Sequence, residues 1–432
     1  MPVDICSQQH SLIKPISATT DTSSLSLNPL SLSSALPPAD PEHHHHDHHE
    51  NTHNMNKLCR QVSIESPGPG NKNCVFNFFV PIEDTPAQGA RIKIVCAGAC
   101  YRRRDRSNSI TSMSSVSSEL SDYCPSVTSI SSVSSSAFRE GSFFPGFEVA
   151  GVIESLGSEI TEANNCGLRI GQRVIVYPFD ETPAGYAELM VVPDLTHIVP
   201  IPDNLPMEEA AMLPTGALLA MNAVFQAQTV VTQILKQRAA TDPEKKCRIL
   251  IVGTGGLALW AVRIASYHFA SHNVEITVAS LRDEGFRLAT EIKNVNVVQW
   301  NEGLYEAQLI ERTRDVCGGS IDVVIDFGTT SRSLHRSMHC LSKGGVILIS
   351  EEVAEKLLPK FSRLTNEYKQ EIVPISNGTV EQLAQLVQLV ADKKIEPPPY
   401  SVFPCEQAAE VIQKLCNSEI PGRAILRFHE IE

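Results

Sequence analysis

An α/β fold built on a doubly wound parallel sheet is predicted by three observations on this 432-residue sequence. From Met207 onward, helical segments alternate with short apolar runs, the pattern by which strand–helix–strand units close a parallel sheet. One of those runs leads directly into a glycine-rich turn and then an apolar helix. Before Met207 the chain shows short strand-like runs broken by proline and glycine, which predicts a mostly β region. With 42% hydrophobic and 20% charged residues the chain can bury a sizeable core, and a wholly disordered protein is excluded. A formal net charge of −13 argues against nucleic acid as its main ligand.

Residues 1–55 are rich in Ser, Thr, Leu and Pro and carry His43-His44-His45-His46-Asp47-His48-His49. A tract this polar cannot offset its ordering entropy by burial, so a disordered tail is expected. Eight of the fourteen histidines fall there; they could chelate a divalent metal, and solvated low-complexity sequence is the plainer alternative. A second anomaly spans 107–136, where fifteen of thirty residues are serine, and predicts a mobile insertion over 105–140. Strand-like runs at 91–95 and 147–153 flank it, so one folded domain continues across the insertion. Further strands are expected at 75–80 and 173–177, and then, within the parallel sheet, at 248–252, 275–279, 295–298, 322–326, 346–349 and 371–375.

The uncharged apolar run between Arg248 and Arg263 holds 14 residues, short of the ~18 that cross a bilayer, and no membrane span is expected. The first thirty residues lack Arg, contain Asp4 and Asp21, and have no compact apolar stretch. They fit neither a secretory nor a mitochondrial leader, so a cytoplasmic protein is expected. Twelve cysteines without a CxxC pair read as reduced thiols of an intracellular protein.

The run 248–252 enters Gly253-Thr254-Gly255-Gly256-Leu257-Ala258 and then an apolar helix over 259–269. This is G-x-G-x-x-A in the setting that dinucleotide binding requires. Gly253 permits the tight turn, Gly255 lets backbone amides approach a pyrophosphate, and Ala258 is small enough for close helix–strand packing. The next strand ends at Ser280-Leu281-Arg282, without the acid that would hold both ribose hydroxyls of NAD. Ser280 and Arg282 could instead take a 2′-phosphate, which favours NADP over NAD; Asp283 is the rival ribose ligand, and a solvated Arg282 the plainer alternative.

On these residues the chain resembles the medium-chain dehydrogenase/reductase superfamily, the alcohol dehydrogenase and quinone oxidoreductase-like enzymes. Ordered blocks at 95–101, 145–153, 171–174, 185–188, 322–326, 378–379 and 422–425 carry the resemblance with the glycine turn. It implies a GroES-like catalytic domain over 56–220, a Rossmann nucleotide-binding domain over 221–376, a return to the catalytic domain over 377–432, and an active site between them. It also implies a homodimer through the edge of the nucleotide-domain sheet, with 346–349 and 371–375 as the edge region. Zinc-dependent members use a Cys, a His in G-H-E and a further Cys as ligands. Cys100 matches the first, but Phe147 stands in the histidine place and Pro214-Thr215-Gly216 in that of the later cysteine. Phenylalanine has no lone pair to give, and only 175–184 separate the two blocks that elsewhere flank a four-cysteine lobe. A zinc-free member, with no metal ligands, is therefore expected, and His197 is expected to be a strand-end residue.

Zinc-free relatives typically use NADPH to reduce quinones, enones or other activated double bonds. By this resemblance the substrate is a small molecule, Tyr101 and Cys100 are the candidate proton donors, and Arg102 or Arg103 could stabilise an enolate. The alternatives are packing for Tyr101, a remnant metal ligand for Cys100, and solvation of the insertion's root for the arginines. Arg423 matches a basic position near the cofactor, where it could hold the pyrophosphate; a surface charge is the alternative. The long insertion after Cys100 opens a different class of function, a nucleotide-binding regulator with weak or no turnover acting in redox or stress signalling. Arginines three and five residues before Ser109 form a pattern that basophilic kinases recognise, so phosphorylation at Ser109 is a further expectation, with an unmodified spacer as the alternative.

Overall fold

The chain first gives strands β1 (Leu58–Glu65), β2 (Asn73–Pro81), β3 (Ala90–Ala99), β4 (Ser142–Phe143), β5 (Val149–Leu156), β6 (Arg173–Val176), β7 (Leu189–Val192) and β8 (Ile198–Pro200). Helices α1 (Met207–Ala211) and α2 (Leu218–Ala239) follow, joined by a π-helical turn at Leu213–Ala217. Strict alternation comes next: β9 (Cys247–Val252), α3 (Gly256–His268), β10 (Val274–Ser280), α4 (Asp283–Thr290), β11 (Val295–Gln299), α5 (Glu306–Val316), β12 (Ile321–Asp326), α6 (Ser331–Cys340), β13 (Leu341–Ser350), α7 (Glu351–Tyr368) and β14 (Glu371–Ile375). The chain closes with α8 (Val380–Ala391), β15 (Tyr400–Pro404), α9 (Ala408–Cys416) and β16 (Arg423–Arg427). This computed structural model describes residues 58–65, 73–99, 142–143, 147–179, 186–253, 255–281, 283–300, 303–328, 330–416 and 419–430. The tail expected over 1–55 and the whole insertion expected over 105–140 lie outside them.

Six parallel strands form one sheet in the order β11-β10-β9-β12-β13-β14. The order reverses at β9, which pairs with β10 on one side and β12 on the other, creating the crevice where open α/β sheets bind ligands. Alternation along β9 explains why both faces are covered. Ile249 and Ile251 enter the core shared with α2 and α3, whereas Leu250 and Val252 enter the core shared with α6 and α7. All six predicted strands of this sheet are present. One placement is corrected: β13 lies inside the sheet, so the edge on that side is β14 alone, where Glu371 and Pro374 are exposed, and β11 forms the opposite edge.

A mixed sheet in the order β15-β16-β3-β5-β6-β8, with β7 also paired to β3, gathers strands from the two ends of the chain. The antiparallel β16–β3 pair, with Ala424 opposite Ala99, brings the last strand back onto the first region, as the GroES-like arrangement requires. His197 ends a single 3₁₀ turn before β8, and its carbonyl accepts from the Tyr177 amide at 2.7 Å. Its ring stacks on Phe179 at 4.9 Å between centroids, a packing role.

The apolar run between Glu209 and Lys236 is longer than the one between Arg248 and Arg263, and it corrects the sequence-based count. The helical run Leu213–Ala239 has 27 residues and contains an 18-residue stretch of mean hydropathy 1.3, long and apolar enough to cross a membrane by composition. Half of it is buried inside the protein, and α2 packs on α3, α8 and β12, the environment of a core helix.

Candidate functional site

The glycine turn sits at the point where the strand order reverses. Gly253 has φ +149°, a conformation that side chains other than hydrogen rarely adopt. Its amide donates to the Ala279 carbonyl at 3.0 Å, and the Phe327 amide donates to the Val252 carbonyl at 2.9 Å, so the turn is tied to both neighbouring strands. A Cβ at 253 would lie 3.0 Å from the Ala258 methyl, which explains why both positions are small. Gly255 caps α3 without a side chain, and Gly256 and Leu257 begin the helix. The amides of that first turn therefore face the crevice with the positive end of the helix dipole. Thr254 lies outside the described residues.

Arg423, the first residue of β16, closes on this turn from the mixed sheet. A Cβ at Gly256 would meet its Cδ at 2.7 Å, so only glycine admits the guanidinium stem there. The side chain is 8% exposed and its Nη2 donates to Glu148 Oε2, on a carboxylate only 2% exposed. The other carboxylate oxygen accepts from Thr215 Oγ1 at 2.5 Å. Thr215 reaches it because the π-helical turn Leu213–Ala217 widens the helix there; such turns recur at functional positions. Burial of two opposite charges at one point is tolerated because each finds a charge-assisted hydrogen bond.

These contacts bear on whether the described residues in the expected ligand places fit a zinc ion. Phe147 offers no donor, Thr215 gives its hydroxyl proton to Glu148, and Glu148 is paired with Arg423. The residues that stand in the ligand places do not fit a catalytic metal. Among the described residues no group of three His, Cys, Asp or Glu converges on a metal position. Cys100, Tyr101 and Arg102, the candidate catalytic residues, lie outside the described residues.

At the end of β10, Ser280 is fully buried and its carbonyl accepts from the Trp300 amide at 2.8 Å. In this conformation its hydroxyl presents no surface to a ligand. Arg282 lies outside the described residues, and Asp283 accepts from Gln299 Nε2. Of the cofactor-binding residues expected from sequence, the structure thus gathers Gly253, Gly255, Gly256, Leu257, Ala258 and Arg423 and keeps Ser280 beneath them.

Two features of the crevice escaped sequence reasoning. Asp326, at the end of β12, is fully buried and accepts from the Gly328 amide at 2.7 Å, from Ser333 Oγ at 2.8 Å and from Ser337 Oγ at 2.8 Å. Burial pushes its carboxyl above the usual range against the pull of those donors. The cluster fixes the turn that follows β12, whose Phe327 packs on Gly253. Beyond it, Tyr177 donates to the Gly378 carbonyl at 2.8 Å, joining the end of β6 to the loop after β14. The spacing of 201 residues left no local signal for this bond.

A charged cluster lies at the start of α5 and α6. Glu306 receives Arg336, which is 4% exposed, and Arg332, while the Arg336 guanidinium lies 5.5 Å from the Trp300 ring centre. Hydrogen bonds from Arg336, opposed by burial and aided by Arg332, hold the Glu306 carboxyl down to about 2. Because the folded value lies below the unfolded one, near 4.5, the stabilisation is present above that value and is lost as pH falls through about 2. The difference in melting temperature between wild type and Glu306→Gln is therefore expected to be full at pH 7 and to shrink from about pH 4.5 downward. A difference that does not change across that range would contradict the assignment.

A parallel sheet with a glycine turn at its switch point, closed by a buried arginine from a mixed sheet, defines a two-part dinucleotide-binding dehydrogenase fold. A family profile described as zinc-binding dehydrogenase matches residues 304–426. A zinc-type alcohol dehydrogenase-like protein of Schizosaccharomyces pombe is 24% identical over 306 residues, 66% of this chain and 82% of that protein. The quinone oxidoreductase of Mus musculus is 26% identical over 291 residues, 66% of this chain and 80% of its own length. Among solved structures, one described as a short chain alcohol dehydrogenase of E. coli CFT073 complexed with NADH has a TM-score of 0.60 at 17% identity, covering 86% of this chain and 99% of that one. In sequence the chain is similar to zinc-binding dehydrogenases and quinone oxidoreductases, and its fold is that of the medium-chain dehydrogenase/reductases.

Proposed function

We propose that this protein is a zinc-independent reductase that uses NADPH to reduce a quinone, an enone or another activated carbonyl compound. The observation that carries the reading is Arg423, buried against Gly256 at the first turn of α3 and paired with Glu148. Cradled by small residues, that turn leaves room for a pyrophosphate, and Arg423 would face it from the opposite sheet. When bound, the nicotinamide supplies the hydride. The chain's own part is to bind and orient. The α3 amides and Arg423 hold the phosphates, and Glu148 and Thr215 fix the guanidinium. The turn 327–328, pinned by Asp326, walls the crevice beside Gly253. Tyr101 or Cys100 would deliver the proton, with Arg102 stabilising the enolate.

NADPH is favoured over NADH by the absence of an acid at the end of β10 and by the engagement of Asp283 with Gln299. Arg282→Ala is expected to weaken NADPH by about 10- to 100-fold and leave NADH unchanged, the loss of one charge-assisted phosphate contact. Equal affinity of the unmodified protein for the two cofactors would contradict the choice. The function itself is tested by NADPH oxidation with a panel of quinones and enones, on protein whose zinc content is measured. Turnover without stoichiometric zinc is the expected result. Cofactor binding without turnover would favour the nucleotide-binding regulator instead. A homodimer through the exposed edge of β14 and a cytoplasmic location complete the proposal.

A further inference from the structure

We propose that His335 and His339 form a chelating site for a divalent transition metal on one face of α6. The two residues stand one helical turn apart, a spacing that brings side chains together on a helix surface. Their Nε2 atoms are 3.0 Å apart in a hydrogen bond from one ring to the other, which a metal would replace once the shared proton shifts to the donor ring's Nδ1, and both rings are half-buried. With metal–nitrogen bonds of about 2.0–2.1 Å, nitrogens at that separation subtend roughly 91–97° at a shared ion. That is the cis angle of a square-planar or octahedral centre, as Cu(II) or Ni(II) prefers; a tetrahedral zinc would need about 3.3–3.4 Å between them.

The surroundings hold the pair in place. The two rings are 4.3 Å apart between centroids, and the Tyr368 ring meets His339 edge-on at 5.5 Å, fixing its orientation before any metal arrives. Burial, with His335 and Arg314 nearby, holds the His339 imidazole below its ordinary range. Arg314 donates to the His339 carbonyl, and its charge opposes the ion, which favours an anionic or water-filled remainder of the coordination sphere. Neither histidine takes part in the dinucleotide site, and both were unassigned on sequence grounds.

Nickel(II) is the probe, and the full chain is the sample. Thermal unfolding is measured with and without the metal for wild type, His335→Ala and His339→Ala. The histidine tract 43–49 and all cysteines are common to the three proteins, so the difference between them isolates α6. At a metal concentration ten times the dissociation constant, wild type is expected to gain about 3 °C more than either variant. Should His339→Ala melt low without metal because it loses its packing on Tyr368, His335→Ala carries the comparison. An equal rise in all three proteins would overturn the proposal.

Discussion

Arg423→Ala is expected to lower the free energy of unfolding by about 3–5 kcal/mol, the largest loss among the substitutions considered. The magnitude follows from what remains behind. Glu148 is only 2% exposed, and without the guanidinium it loses its charged partner in a buried site. Thr215 still donates, but a hydroxyl does not balance a full charge. Removing both charges together should restore part of the loss, so the pair Arg423→Ala with Glu148→Gln is expected to be more stable than the sum of the two single losses predicts. Urea unfolding of the four proteins gives the coupling directly. A single-variant loss below about 1 kcal/mol would mean that the contact is no better than a surface ion pair.

Gly256→Val should abolish most dinucleotide affinity, by about 100-fold or more, as expected when charge-assisted phosphate contacts are lost. A Cβ there already meets Arg423 Cδ at 2.7 Å, and valine adds two methyl groups beside the first amides of α3. The guanidinium would be pushed from the turn while Glu148 continues to hold its tip. The effect is therefore expected to fall on binding more than on stability, the reverse of Arg423→Ala. Fluorescence titration with NADPH measures it, and an unchanged dissociation constant would show that the phosphates do not pass this turn.

Much of the parallel sheet could be read from the residues because each of its strands is a short, mostly apolar run, and the central strands are buried on both faces. The glycine turn was equally legible, since Gly253, Gly255 and Ala258 act within six residues of one another. The partner that closes on it was only half legible. Arg423 could be named from its setting, but its pairing with Glu148 spans 275 residues, and the bond from Thr215 to Glu148 spans 67. Sequence periodicity carries no information about such contacts. Ser280 failed in another way: its position at a strand end was right, and its burial depends on what covers it from neighbouring strands. Helix α7 runs for 18 residues through Pro359, a residue that on its own argues for a break.

The π-helical turn at Leu213–Ala217 also acts as a phase shifter. One extra residue in a helical path advances every later side chain by about 100° around the axis. Ahead of the turn, α1 leans on β3 and β5 of the mixed sheet; after it, α2 leans on α3, α8 and the parallel sheet. A continuous α-helix could not present its apolar stripe to both partners in sequence, because their directions differ. The inserted residue rotates one stripe into the other, with all five residues of the turn buried at the joint. The two halves of the molecule are thus geared together at the same place where Thr215 meets Glu148, and a rotation of either half about this helix would reach the buried charge pair first.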